Sequence, residues 1–411
     1  MMAQLLEDAG YVRGEDALSS DVCIINSCTV TAVSDAKCRK LIHRIRRENP
    51  SCIIVLTGCM PQAFPDDSIL FEGCDIVLGN TLRKQIVPAL YEYLQTRERI
   101  LLIRQHEKDE RFEPMELHSF CERTRAFIKI EDGCNRFCTY CIIPYARGRV
   151  RSKSVEDIQK EAEALAQNGF RELVLVGINL SAYGQDIDSD ICAAVKAVCD
   201  VDGIDRVRLG SIEPERMTRE TLLTLSKEKK FCPHFHLSLQ SGCDETLKRM
   251  KRHYTADEYR AIVKNIREIF ENPSITTDIM VGFAGESDEE FVSSLRFVDD
   301  IGFARAHVFS YSRRKGTKAD LMDDQVPESV KNERSRIMIR HTDEKQREFL
   351  CSQTSRILPV LFETIDRDGF FEGYTMNYVK VKVKSDEDLS NRIIDVELTN
   401  ACDDYCEGVL R

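Results

Sequence analysis

No stretch of eighteen consecutive apolar residues occurs in this 411-residue chain, so no membrane-spanning helix and no membrane partner are expected. The first ten residues, Met1 to Gly10, carry no basic start and no apolar core, so a secretory signal is not expected and a cytoplasmic setting is. A surplus of positive charge is missing too. The 58 Lys and Arg stand against 69 Asp and Glu, and the formal net charge of −11 argues against a globally basic nucleic-acid binder. Histidine is scarce at eight residues, and His43, His106, His236 and His307 offer no convincing acid–base pair. Cysteine, by contrast, is plentiful at 17. In a chain without an export signal these thiols should be reduced, some serving metal or catalysis and most simply buried.

Three of the cysteines stand together in Glu131-Asp132-Gly133-Cys134-Asn135-Arg136-Phe137-Cys138-Thr139-Tyr140-Cys141, spaced C-x3-C-x2-C after the strand-like run Ala126 to Ile130. Three thiolates hold a [4Fe–4S] cluster but leave one iron open. An open metal position can chelate a substrate or cofactor. A zinc knot would need a fourth ligand, and no histidine or further cysteine lies close enough in sequence to supply it. A disulfide plus a free thiol suits the expected compartment poorly. The spacing resembles that of the radical S-adenosylmethionine (SAM) enzymes. The resemblance implies that SAM occupies the open iron and is cleaved to methionine and a 5′-deoxyadenosyl radical, which can take hydrogen from an unactivated C–H bond.

The chain is too long for a single core, and its patterning divides it into three. Residues 1–112 alternate strand-like runs at Val22–Ile25, Ile53–Leu56 and Asp75–Leu78 with helices near 33–48 and 82–95, which predicts an open parallel α/β domain. Cys28 and Cys59 lie just beyond the first two of these strands, where such sheets present ligands. Cys23, Cys38, Cys52 and Cys74 lie within elements or at a strand's start, and are expected to be packing residues. Glu107 to Ser119 is charged and aperiodic and reads as a linker.

Residues 120–350 carry six strand-like runs separated by helices: Ala126–Ile130, Leu173–Val176, Arg206–Leu209, His236–Leu239, Ile275–Val281 and Ala306–Phe309. Ser154, Thr255 and Ser287 stand where helix N-caps belong. Six β/α units in a row predict a (β/α)6 partial barrel with its site at the C-terminal strand ends. Residues 354–411 alternate apolar and polar residues between Asp-Gly and Glu-Gly turns and predict a small antiparallel β-barrel.

The motifs Asn26-Ser27-Cys28-Thr29-Val30-Thr31, Thr57-Gly58-Cys59, Gly133 to Pro144, Arg208 to Pro214, Leu237 to Cys243 and Asp278 to Phe283 together resemble the methylthiotransferases, over nearly the whole chain. The fold this implies is an α/β multidomain chain: an N-terminal auxiliary-cluster domain, a central radical SAM domain and a C-terminal TRAM domain. The resemblance implies two [4Fe–4S] clusters with SAM as cofactors. Cys134, Cys138 and Cys141 would hold the cluster that cleaves SAM, and Cys28 and Cys59 the auxiliary cluster that carries sulfur. Tyr140 would contact adenine, and Gly177, Ser211, Glu213 and Gln240 would line the SAM pocket or serve as barrel scaffolding.

Cys28-Thr29-Val30-Thr31, Ile143 to Arg151 and Gly373 to Tyr378 look like the enzymes that methylthiolate N6-threonylcarbamoyladenosine at C2 beside the anticodon of tRNA. The partners this implies are the tRNA anticodon loop, an electron donor and a sulfur source. The other readings are the isopentenyladenosine-tRNA type, the ribosomal-protein type and a catalytically impaired iron–sulfur tRNA-binding protein. The last arises because the family pattern places a first auxiliary-cluster cysteine ahead of the helix that here begins at Met1 or Met2. On this expectation only two auxiliary thiolates are present and that cluster is labile. For the RNA, Phe371 and Tyr374 are expected either as an exposed stacking platform beside Lys380 or as barrel core. The basic groups Lys37 to Arg47, Arg147 to Lys153, Lys248 to His253 and Arg313 to Lys315 are expected to be solvated faces or an RNA-backbone footprint.

Overall fold

A computed structural model describes residues 2–108, 110–113 and 124–411. The expected linker falls outside the described residues at Asp109 and from Pro114 to Ser119. The chain divides into two compact units, one formed by Met1–Leu117, Asp132–Arg151 and Ser312–Leu321, the other by His118–Glu131, Ser152–Tyr311 and Met322–Arg411.

The first unit is built on four parallel strands in the order β1 (Val22–Ser27), β2 (Ile53–Gly58), β3 (Ile76–Leu78) and β4 (Ile100–Leu102). β2 is buried throughout, as a central strand of a parallel sheet should be. After helix α1 (Met2–Asp8), α2 (Ala32–Glu48) joins β1 to β2. Thr31 caps α2 by accepting from Ser34 N, and Asp35, Cys38, Ile42 and Ile45 form its buried face. The short helix α3 (Cys59–Ala63) follows β2, and α4 (Ile86–Thr96) packs Ile86, Ala89 and Leu90 into the core. Cys23, Cys38, Cys52 and Cys74 are all buried. Burial pushes the thiol of Cys38 up to about 11 and that of Cys74 up to about 12, which suits packing rather than metal ligation.

The second unit opens on β5 (Arg125–Lys129). Two-residue strands β6 (Glu131–Asp132) and β7 (Arg151–Ser152) pair with each other. β5, β8 (Glu172–Val176) and β9 (Arg206–Leu209) form one parallel sheet; β10 (Ser211–Ile212), β11 (His234–Leu237), β12 (Ser274–Val281) and β13 (Arg305–Ser310) form another. β9 and β10 are one run interrupted at Gly210, so the two sheets continue each other as six β/α units in chain order. Ser154, Thr255 and Ser287 cap their helices, the last two with full capping boxes through Glu258 and Glu290. The fourth strand sits two residues earlier than its apolar pattern suggests. Gln240, with φ +69°, turns the chain just beyond it.

A helix over Glu328–Gln353 leads to a closed barrel in the order β14 (Ile357–Ile365), β15 (Phe370–Thr375), β16 (Lys380–Lys384), β18 (Cys406–Leu410) and β17 (Ile393–Ala401). Every pair is antiparallel except β16 with β18, which runs parallel and completes the closure. Phe371 lies in the barrel core, so it is no exposed stacking platform. Tyr374 is half-buried and stacked on Tyr378, beneath Arg125. Lys380 is matched by Glu372 at 3.0 Å. The barrel packs against the starts of the sheet strands, where Arg206 donates to the carbonyls of Tyr374 and Pro359.

Candidate active site: the cysteine-bearing strand ends

In the first unit, Ser27 of β1 stands in register with Gly58 of β2. The next residue on each chain is Cys28 and Cys59, so two adjacent parallel strands deliver the two thiols to the same sheet edge. Gly58 makes the turn at φ +103°; a Cβ there would meet the Ser27 carbonyl oxygen at 2.3 Å. Ser27 Oγ donates to the Thr57 carbonyl and accepts from Met60 N, pinning the start of α3. Cys28 is exposed and Cys59 buried.

The loop that carries Cys134, Cys138 and Cys141 belongs to the same unit. Gly133, at φ +93°, lies against the returning chain, where a Cβ would sit 1.9 Å from the Arg149 carbonyl oxygen. Cys134 N donates to the Gly148 carbonyl, Cys141 N to the Cys138 carbonyl, and Ala319 N to the Thr139 carbonyl. The three cysteines and Tyr140 are part-exposed on this held loop. Three thiols within eight residues are the donor set a [4Fe–4S] cluster with one open iron takes. Among the described residues no three His, Cys, Asp or Glu side chains stand gathered as a ready-made metal site.

Directly after this loop, α5 (Ile143–Arg147) turns Arg147 inward rather than toward solvent. Its Nε donates to Cys59 Sγ at 3.2 Å, and its Nη1 lies 3.6 Å from Asp132 Oδ2. Asn80 Nδ2 donates to the Ala146 carbonyl at 2.8 Å and reaches Cys59 Sγ at 3.8 Å. Burial works against the Arg147 charge, but Asp132 and the thiols of Cys59 and Cys28 outweigh it and hold its pKa above the ordinary value. The thiol nominated for the auxiliary cluster is thus bonded to a cation from the segment after the radical SAM motif. Nothing in the sequence marked Arg147 or Asn80 for this; Arg147 read as one of a solvated or RNA-facing basic group. Arg147→Met should lower stability by about 1.5–3 kcal/mol, the worth of hydrogen bonds to charged groups, and reduce the iron recovered per chain. Denaturation midpoint and iron content check it, and parent values for both would remove Arg147 from the site.

In the second unit the remaining nominated residues fall along one edge of the sheets. Gly177 follows β8, Ser211 begins β10, Glu213 follows β10, and Gln240 lies just beyond β11. Gly177 leaves room for the Glu131 carboxylate, which accepts from Asn179 N at 2.7 Å. Glu213 is ion-paired with Arg252, and its backbone is bonded to Ser181 Oγ at 2.7 Å, so it also has a structural task. Ser211 is exposed. Gln240 is 8% exposed, and its buried Oε1 accepts no hydrogen bond among the described residues. A buried carbonyl of this kind suits a ligand donor. His236, thought unpromising, is bonded to Thr276 Oγ1 at 3.0 Å and lies 3.2 Å from Asp278 Oδ2.

The chain matches the Radical SAM superfamily over residues 128–298 and the Uncharacterized protein family UPF0004 over residues 1–79. It is 37% identical to threonylcarbamoyladenosine tRNA methylthiotransferase MtaB of Bacillus subtilis (strain 168), covering 98% of this chain and 91% of that protein. The protein of that name from Thermotoga maritima is 38% identical, covering 92% and 86%. The tRNA-2-methylthio-N(6)-dimethylallyladenosine synthase of Pelotomaculum thermopropionicum is 34% identical, covering 100% and 94%. A solved structure of the radical SAM methyltransferase TsrM from Kitasatospora setae, with cobalamin and a [4Fe–4S] cluster bound, shares the fold with a TM-score of 0.53. Its identity is 17%, over 75% of this chain and 71% of that one. No helix among the described residues is long and apolar enough to cross a membrane. With relatives this similar along nearly its whole length, the chain belongs to the radical SAM methylthiotransferase family, whose chemistry rests on SAM and a [4Fe–4S] cluster.

Proposed function

We propose that this enzyme replaces the C2 hydrogen of N6-threonylcarbamoyladenosine with a methylthio group at position 37 of tRNA, beside the anticodon, in the cytoplasm. The observation that carries this reading is the 37–38% identity, over most of the chain, to relatives named for that reaction. When bound, the cluster and SAM supply a radical able to take hydrogen from an unreactive C–H bond. Cys134, Cys138 and Cys141 hold that cluster, and the backbone bonds at Gly133, Cys134 and Cys141 fix their loop. Cys28 and Cys59 hold the sulfur-bearing auxiliary cluster, with Arg147 countering the charge of the Cys59 thiolate. Tyr140 would contact the SAM adenine, and in the second unit Gly177, Ser211, Glu213 and Gln240 would serve SAM binding, Gln240 through its buried carbonyl oxygen.

The division into auxiliary-cluster, radical SAM and TRAM domains over 1–112, 120–350 and 354–411 belongs to the same reading. An external electron donor and sulfur source complete it. The identity to the dimethylallyladenosine synthases, 32–34% over most of the chain, favours a second reading in which the modified base carries an isopentenyl group. Anaerobic incubation of the reconstituted enzyme with SAM, reductant and each of the two hypomodified tRNAs separates them by nucleoside mass spectrometry. A methylthio product is expected from the threonylcarbamoyl substrate alone. Product only from the isopentenyl substrate, or from neither tRNA, would overturn the assignment.

A further inference from the structure

We propose that the outward face of α2 is the surface on which this enzyme grips the phosphate backbone of its RNA. The inference rests on the tRNA reading above and adds where that RNA is held. Helix α2 carries two stripes with identical spacing. Asp35, Cys38, Ile42 and Ile45 step by three, four and three residues and face the core. Lys37, Lys40, Arg44 and Arg47 step by three, four and three as well, offset by two residues, and are exposed. An offset of two residues is about 200° around a helix, so the basic stripe lies opposite the buried one. Its four charges span roughly 15 Å along the axis. Exposed Arg39 and His43 flank it.

The other basic groups are largely consumed within the protein. Arg46 turns in to the Gly73 carbonyl and Asp75. Arg147 binds Cys59, Arg151 lies by Glu110 and Asp132, and Lys153 pairs with Glu161, leaving Arg149 exposed. Arg249 is bound to Glu290 and Arg252 to Glu213, leaving Lys248 and Lys251 exposed there. Arg313 pairs with Asp320 and Arg314 with Asp35. On the barrel, Glu372 neutralises both Lys380 and Lys382, with Asp366 adding to the second. On α2, Lys37, Arg39 and Lys40 make no ion pair among the described residues, and the one exposed acid, Glu48, pairs weakly at the surface with Arg44 and Arg47. On a chain of net charge −11, a polyanion finds its complement on this stripe rather than on the barrel.

The test is the salt dependence of binding between the cluster-reconstituted full chain and a fluorescent anticodon stem-loop. Each lost phosphate contact lowers the slope of log affinity on log salt by about 0.7–0.9. Changing Lys37→Ala, Lys40→Ala and Arg44→Ala together should lower the slope by about two and weaken binding at least tenfold near 0.1 M salt. The charge-keeping set Lys37→Arg, Lys40→Arg and Arg44→Lys should restore both. Lys380→Ala with Lys382→Ala should move the slope by less than one. A triple variant with the parent slope, or a larger effect from the barrel pair, overturns the proposal; an acidic protein as the true occupant of α2 would give the first of these results. If the parent modifies tRNA while the α2 triple is unmoved, only this surface falls. A parent that neither binds nor modifies tRNA sinks the tRNA reading together with it.

Discussion

Replacing Cys134, Cys138 and Cys141 together by alanine is expected to remove about four irons per chain and to abolish SAM cleavage under reducing, anaerobic conditions. The fold should survive. These side chains are part-exposed, and their loop is held by backbone bonds to Gly148, Cys138 and Ala319 that need no thiol. Circular dichroism and the unfolding midpoint should therefore stay near parent values while iron and 5′-deoxyadenosine vanish together. The experiment also reads the second cluster. About four irons left in the triple variant, lost when Cys28 and Cys59 are also changed, would put that cluster at the ends of β1 and β2. No iron left would mean that the radical SAM cluster alone assembles. Parent iron and SAM cleavage in the triple variant would sink the assignment of the C-x3-C-x2-C loop.

Features written into short stretches of sequence were the legible ones. Ser154, Thr255 and Ser287 announce helix starts because a cap needs only a hydroxyl and the next three residues. The strand ends that carry Cys28 and Cys59 were readable because a parallel sheet presents its ligands at one edge, and register then follows from topology. Short or charged elements were not. Ile100–Leu102 is a three-residue strand beside a charged stretch, and Cys406–Leu410 is broken by Glu407 and Gly408. Arg206 and Arg208 lie in the buried strand β9, where charge is rare without partners. Those partners are 36 and 168 residues away in sequence, beyond any local pattern.

The same distance effect governs the site. The bond between Arg147 and Cys59 closes across 88 residues, so Arg147 looked like one more surface charge. Charge runs are thus poor guides until their acids are located. Arg44 and Arg147 are equivalent in sequence, yet one lies on an open helix face and the other is turned onto a thiol. Aromatic residues mislead in the same way. Phe371 and Tyr374 follow the alternation of a strand and could face either side; the barrel's closure puts Phe371 inside, and Tyr374 against the sheet with Arg125.

Glu172→Gln is expected to cost about 3–5 kcal/mol of stability, because it removes a carboxylate from beneath buried guanidiniums. Glu172 is fully buried, 2.8 Å from Arg208 Nε and 3.7 Å from Arg206 Nη1. Arg208 donates onward to the Met376 carbonyl and lies over the Tyr378 ring, while Arg125 pairs with Glu363. These contacts fasten the barrel to the starts of β5, β8 and β9, so the loss should appear as a fall in melting temperature on the order of 10 °C with the barrel leaving first. Arg208→Met together with Glu172→Gln should cost less than the two singly, since no orphaned charge of that pair remains.

The acid response follows with defined sign. Burial raises the Glu172 carboxyl, but Arg208, Arg125 and Arg206 outweigh it and hold it below its ordinary value. Its contribution is present above the unfolded carboxyl range and is lost as pH falls through the lower folded value. His234, buried, stacked on Tyr378 and close to Arg208, is held well below 6.5. As pH drops beneath 6.5 the unfolded chain takes up a proton that the fold refuses, at up to about 1.4 kcal/mol per pH unit. His307, lowered chiefly by burial, adds in the same direction. His234→Phe keeps a ring for the stack and should remove the His234 share of that slope, seen in urea midpoints taken between pH 7 and 5. A Glu172→Gln chain as stable as the parent would assign the docking instead to the carbonyl bonds of Arg206.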